Sequence, residues 1–298
     1  MAFNKAGFKT RASSAVVFAL VMLAGLLIHP LTFYVLFTFI HCGTWIEFQR
    51  LTGKIEPAYL YPDKMLRFLP VLFGCGFLFF CINPDAIVAG DYFSVRHFGI
   101  GIMIVSLLLW LYYFLRQKHY RHIIAKYTLL GLLYITFTTG LLFVIRSAFP
   151  AEGRLFEIDF GLKIILTLLV STWINDTMQY IVGSLIGKTP FSKISPNKTW
   201  EGTIGGILLC IVAISAIGHA IDFLPLSLLI AISYVAAVFG TLGDLLESKI
   251  KRMAHVKDSG NILPGHGGLL DRFDSFIFSI PFVWIVLLLW LQMHGQLS

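Results

Sequence analysis

An all-helical bundle that crosses a membrane many times is the fold class this sequence predicts, and three observations carry the prediction. Only 13% of the residues are charged and 57% are hydrophobic, whereas a soluble domain carries about 25% charged residues. Mean hydropathy is +0.80 over the chain. Apolar stretches approaching the roughly 20 residues of a membrane span recur along almost the whole length, and the basic residues collect in short segments between them.

Taken in order, nine stretches fit spans: 14–29, 31–47, 66–82, 98–115, 123–146, 162–182, 203–220, 225–243 and 275–293. The first two are individually short but too long together for one span. His29-Pro30 divides them, because proline breaks a helix interior and suits a helix start. The segment before them carries Lys5, Lys9 and Arg11, as a signal peptide would. The apolar run continues too far for one, however, and no small-x-small site precedes Pro30, so the first span is expected to be retained.

Charge distribution tests the count. With the N-terminus inside and nine spans, the inner segments are the N-terminus, 48–65, 116–122 with Lys126, 183–202 and 244–274. Of the 23 lysines and arginines, only Arg96, Arg146, Arg154 and Lys163 then fall on the opposite side. Merging the first two spans would spoil that asymmetry, so the prediction is N-terminus in and C-terminus out. Trp45, Trp110, Trp173, Trp200 and Trp290 lie near span ends, where interfacial anchoring is expected.

The same residues exclude several functions. Cys42, Cys75, Cys81 and Cys210 sit in apolar stretches without paired spacing, so neither a disulfide framework nor a zinc site is indicated. The net charge of +7 is spread over loops rather than drawn into a basic stripe with interleaved aromatics, which argues against nucleic acid. Nothing resembles a Ser–His–Asp arrangement, a Walker loop or a thiol site.

Two polar clusters interrupt the apolar pattern. From Gly243 to Ser275, Asp244, Glu247, Asp258, Asp271 and Asp274 alternate with Lys249, Lys251, Arg252, Lys257, Arg272 and His266. Acids on both flanks suit a hard cation, and a basic middle suits phosphates. Gly265, Gly267 and Gly268 let backbone N–H groups approach oxygen closely. That combination fits a metal-assisted reaction on a phosphorylated substrate. The second cluster begins inside the sixth span, where Asn175, Asp176 and Gln179 fall within one helical turn. An acid at that depth faces a polar cavity or a partner, and interhelical hydrogen bonding is the alternative. Directly after it, Lys188, Lys193 and Lys198 supply cations, and Ser195 or Thr199 can cap the seventh helix so that its positive end meets anions.

These clusters carry a family resemblance. Ser248-Lys249-Ile250-Lys251-Arg252, Lys257-Asp258-Ser259-Gly260, Pro264-Gly265-His266-Gly267-Gly268 and Leu270-Asp271-Arg272-Phe273-Asp274 resemble the cytoplasmic motif of the CDP-diacylglycerol synthases (phosphatidate cytidylyltransferases). Ser195-Pro196-Asn197-Lys198-Thr199-Trp200-Glu201-Gly202 resembles their second motif. The resemblance implies transfer of CMP from CTP to phosphatidate, releasing pyrophosphate, with Mg²⁺ and a second cation as an option. It implies Asp244 and Asp271 as metal ligands, with Asp274 one turn further on as a third or supporting one. Asp244, Asp271, Lys257 and His266 would carry catalysis, His266 first as a phosphate contact. Substrate binding would fall to Asn175, Asp176, Ser195, Lys198, Thr199, Ser248, Lys249, Lys251, Arg252, Asp258, Gly267, Gly268 and Arg272.

One position departs from the pattern. Gln179 stands where the family commonly carries a small residue, which keeps open another lipid phosphate or lipid alcohol as acceptor, a CTP-using lipid kinase, or a non-catalytic paralogue; Asp176 inside a span, suited to a proton relay, keeps open a transporter. The expected organisation is a single membrane domain, with helices of 1–160 for packing or homodimer formation and 161–298 for catalysis. The expected setting is a bacterial inner membrane with the site facing the cytoplasm.

Overall fold

In the computed structural model the protein is described over residues 5–83, 95–149, 158–262 and 267–294. Ten α-helices account for nearly all of it: α1 Lys5–Leu27, α2 Pro30–Ile55, α3 Met65–Cys81, α4 Val95–Arg116, α5 Arg121–Gly131, α6 Thr138–Ala148, α7 Phe160–Ile186, α8 Trp200–Ala220, α9 Leu226–Met253 and α10 Leu270–Met293. A π-helical stretch, Leu132–Phe137, joins α5 to α6. Among the described residues no strand forms, and an isolated antiparallel bridge pairs Pro190 with Thr199. All-helical architecture follows from the environment: in hydrocarbon every backbone N–H and C=O needs a partner within its own segment.

Each of the nine apolar stretches lies within this helical pattern, and the break at Pro30 is where it was expected. His29 is extended and caps α2, its Nδ1 accepting from the Leu31 N–H at 3.1 Å, with Pro30 as the first helical residue. Among the described residues six helical runs are long and apolar enough to cross a membrane: Pro30–Ile55, Val95–Arg116, Arg121–Ala148, Trp200–Ala220, Leu226–Met253 and Leu270–Met293. Val16–Leu27 and Met65–Cys81 are apolar but shorter. Lys163, Asn175, Asp176 and Gln179 dilute the apolar run of α7. The protein is an integral membrane protein.

The chain divides into two units, one formed by residues 1–158 with 251–272 and the other by 159–250 with 273–298. The division differs from the expected one in placing most of the long polar loop with the N-terminal helices. In the first unit α3 and α4 touch backbone to backbone at Gly76 and Gly99, where an added Cβ on either would meet the other's carbonyl oxygen. Small residues permit that approach in a membrane, where van der Waals contact replaces the hydrophobic drive. Trp45, Phe48 and Ile135 form a buried core there. Trp45 is therefore not an interfacial anchor: it is fully buried and donates from Nε1 to Thr136 Oγ1 at 2.9 Å. Its distance from the helix end misled the sequence reading, since α2 continues to Ile55.

In the second unit, α7 and α8 approach through Gly183, Gly202 and Gly206, and Phe239 of α9 stacks on Phe282 of α10. Gly243 meets Asp274 and Phe278 so closely that no side chain fits between α9 and α10. These contacts hold one end of α9, the end carrying Asp244, against its neighbours.

Candidate active site

A polar cavity of about 360 Å³ opens in the second unit, within the range of small-ligand sites. Helix α7 contributes Asp176, Gln179 and Tyr180, and the following loop contributes Ser195, Asn197, Lys198 and Thr199. Thr203 of α8 and Asp244 and Ser248 of α9 complete the lining. Lys198 Nζ and Asp244 Oδ2 form an ion pair at 2.5 Å, both side chains partly exposed. The sequence brought these residues under suspicion separately; the fold places Asp176, Ser195, Lys198, Thr199, Asp244 and Ser248 around one space.

Local chemistry explains why the loop holds this shape. Thr199 is the N-cap of α8, its Oγ1 accepting from the Gly202 N–H at 3.1 Å. Glu201, in the first helical turn, accepts from the backbone N–H groups of Lys188 and Thr189 and from the Thr189 hydroxyl. A negative charge at a helix start is favoured by the helix dipole, so Glu201 ties both ends of the loop together. The Phe191 N–H donates to the Lys198 carbonyl at 2.7 Å. Lys198 is thus presented from a closed turn rather than a free strand.

Asn175 and Gln179 lie on the buried face of α7, four residues apart, with Gln179 also reaching the cavity wall. Both amides donate to Thr241 Oγ1 of α9, at 3.3 and 2.5 Å. They make the interhelical hydrogen bonds the sequence left open as the alternative, while Asp176, one residue round the helix, opens onto the cavity. Gln179 also has a complementary partner: a Cβ added to Gly206 would collide with its Cγ. The large amide that departs from the family pattern fits because α8 is bare opposite it.

A second polar cluster belongs to the first unit. Asp271 Oδ1 pairs with Lys251 Nζ at 2.8 Å, and its Oδ2 accepts from the N–H groups of Ser259 and Gly268, each at 2.8 Å. The Ser259 hydroxyl lies 2.9 Å from both Asp271 Oδ2 and Glu47 Oε2, bridging two acids with one proton. Glu47, nearly fully buried in α2, accepts from the Leu269 N–H at 3.0 Å and the Leu270 N–H at 2.8 Å. It therefore satisfies donors at the start of α10 that the helix itself leaves orphaned.

Two glycines of this cluster answer to the same acids. Gly268 has no room for a side chain beside Glu47 and Ser259. Gly267 has φ +85° and would place a Cβ 2.6 Å from Asp271 Oδ2, so both sterics and backbone require glycine there.

Glu47 was missed by sequence reasoning. It lies far along the chain from the loop it holds, and its one signal was an acid inside an otherwise apolar span. The remaining expected residues are scattered. Lys249, Arg252, Lys257, Asp258 and Arg272 are exposed. Asp274 is buried, its Oδ1 accepting from the Ser275 N–H at 2.7 Å. His266 lies outside the described residues. Asp244 belongs to one unit and Asp271 to the other.

The donor set suits a hard divalent cation. Asp176 and Asp244 supply carboxylate oxygens to one cavity, and Ser195, Thr199 and Ser248 supply hydroxyls. Oxygen ligands of this kind match Mg²⁺. Among the described residues neither histidine nor cysteine, which would favour a softer metal, lines this space.

Helices that cross a membrane, around a cavity that joins carboxylates to a lysine and a helix N-terminus, define a membrane-embedded enzyme for phosphate-bearing substrates. Comparison with known proteins sharpens that class. The model of the cytidylyltransferase family matches residues 9–290. A phosphatidate cytidylyltransferase of Staphylococcus haemolyticus is 34% identical over 249 residues, covering 82% of this chain and 90% of that protein. One from Staphylococcus epidermidis is 35% identical over 245 residues, covering 81% and 88%. The chain belongs to the cytidylyltransferase family, and it is an enzyme of the nucleotidyltransferase type.

Proposed function

We propose that this protein transfers CMP from CTP to phosphatidate, giving CDP-diacylglycerol and pyrophosphate. The observation that carries the reading is the Lys198–Asp244 pair in a cavity at the N-terminus of α8, in a chain of this family. An oxygen of the lipid phosphate attacks the α-phosphorus of CTP, a new P–O bond forms, and the bond to the β-phosphate oxygen breaks. The phosphomonoester is already an anionic nucleophile at neutral pH, so no dedicated general base is required. The task is to bring two anions together in line and to neutralise charge on the departing pyrophosphate.

Each residue has a part in that task. Lys198 exchanges its carboxylate partner for a phosphate oxygen when substrate arrives. The start of α8, fixed in place by the Thr199 cap, adds the positive end of the helix dipole. Asp176 and Asp244 are the residues that would hold Mg²⁺, which neutralises triphosphate charge when bound. In the other unit Asp271 and Glu47 hold Ser259 of the loop after α9, and Asp271 pairs with Lys251 in the last turn of that helix. Lys249 and Arg252 of α9 and Lys257 of the loop are further cations proposed for phosphate, and His266 a further donor. Metal ligation by Asp271, with Asp274 as a third or supporting ligand, is a separate arm of the proposal, since Asp271 lies in the other unit. We place the protein in a bacterial inner membrane with this site at the cytoplasmic face, where CTP is available.

CTP labelled at the α-phosphate or at the γ-phosphate tests the reading in detergent-purified protein with phosphatidate and Mg²⁺. The α-label is expected in the lipid and the γ-label in pyrophosphate. Transfer of the γ-label to lipid with release of CDP would instead identify a lipid kinase and overturn the proposal.

A further inference from the structure

The two half-buried thiols of α2 and α3 meet inside the first unit, although 33 residues separate them in sequence. Cys42 Sγ and Cys75 Sγ lie 3.5 Å apart, and a ring nitrogen of His41 joins them, all three ligand atoms lying within 4.8 Å of one another. His41 is fully buried. Its Nε2 lies 3.0 Å from Thr136 Oγ1, the same hydroxyl that accepts from Trp45 Nε1. A hydroxyl oxygen has two lone pairs and can accept from both. In the tautomer with Nε2 protonated both contacts are satisfied and the Nδ1 lone pair is left for a ligand; Nδ1 is buried and has no hydrogen-bond partner.

We infer that His41, Cys42 and Cys75 form a binding site for a soft d¹⁰ cation, Zn²⁺ before Cu⁺. One imidazole nitrogen and two sulfurs are the donor set such ions select, and hard Mg²⁺ is not. The spacing agrees: two thiolates on one tetrahedral zinc lie about 3.8 Å apart for Zn–S bonds of about 2.3 Å, whereas a disulfide needs about 2.05 Å. The hydrogen bond from Nε2 to Thr136 is the kind of outer contact that fixes a ligating histidine in the correct tautomer. Thr136 is presented by the π-helical turn Leu132–Phe137, a wide turn of the sort that reorients side chains at functional positions.

Charge selects between the two ions. Binding Zn²⁺ releases two thiol protons and leaves a neutral assembly with the neutral imidazole, while Cu⁺ would leave one net negative charge. Within an apolar bundle the neutral product is favoured. The site would fasten α2 to α3 and stands whatever lipid the enzyme uses.

Full-length protein in detergent, reduced, stripped with chelator and kept in excess Mg²⁺ to occupy oxygen sites, would be titrated with Zn²⁺ against a chromophoric competitor. One equivalent is expected to bind with micromolar affinity or better. The Cys42→Ser and Cys75→Ser variants are expected to lose it at least tenfold, and Cys81→Ser and Cys210→Ser to keep it. A second readout needs no variant: Zn²⁺ should slow alkylation of Cys42 and Cys75, scored by peptide mass, while leaving Cys81 and Cys210 unchanged. Absence of stoichiometric binding overturns the inference. So do binding that survives both serine variants, alkylation indifferent to Zn²⁺, and recovery of Cys42 and Cys75 from the unreduced protein as a disulfide.

Discussion

Glu47 is an acid buried among helices, and its position is set by what it accepts. Three donors, the Ser259 hydroxyl and the Leu269 and Leu270 N–H groups, converge on its carboxylate. Removing it leaves buried donors orphaned, so Glu47→Ala should destabilise the protein by about 3 kcal/mol or more. Glu47→Gln, which keeps one acceptor oxygen, should cost less. Thermal unfolding in detergent checks the order, and equal losses in the two variants would contradict it. Lys198 presents the opposite case. Its pair with Asp244 is partly exposed, and such pairs contribute roughly 0–1 kcal/mol to stability. Lys198→Ala should therefore unfold almost as wild type while kcat/KM falls at least a hundredfold, about 2.7 kcal/mol of transition-state stabilisation. Steady-state kinetics beside a melting curve separates the two effects.

At the scale of elements, the close approach of α7 and α8 depends on a matched pair, bare Gly206 opposite bulky Gln179. Gly206→Ala should destabilise by about 1–3 kcal/mol through overpacking, and Gln179→Ala should relieve only the part due to its Cγ in the double variant, because the added Cβ also meets the backbone N and Cα of residue 179. Strict additivity of the two single effects would refute the pairing. This pair also marks what the sequence could and could not say. Gln179 stood out as a departure, but its compensation lies on another helix, at a glycine that reads as ordinary small-residue packing. The helices themselves were legible because apolar runs and the proline at position 30 act locally. Thr199 was legible as a cap for the same reason. Contacts between distant segments were not: Glu47 with the loop after α9, and Cys42 with Cys75, leave no periodic trace.

At the scale of the whole molecule, charge and hydropathy were enough to identify a helical membrane protein, and motif order was enough to point to its family. Six runs meet the length and hydropathy of a membrane span among the described residues, whereas nine stretches were expected. The difference comes from short or polar helices: α3, 17 residues long, would reach about 25 Å at 1.5 Å per residue. The proposed divalent cation is tested at this scale. Chelation by EDTA should reduce CDP-lipid formation to background and added Mg²⁺ should restore it; undiminished turnover in EDTA would remove the metal from the account.

The central claim is that the cavity between α7, the loop after it and α9 is where cytidylyl transfer occurs. Turnover of Asp244→Asn with CTP, Mg²⁺ and phosphatidate, measured on protein whose melting curve matches wild type, tests it most directly. The account predicts CDP-diacylglycerol formation reduced to background in that variant. Formation at the wild-type rate would contradict it.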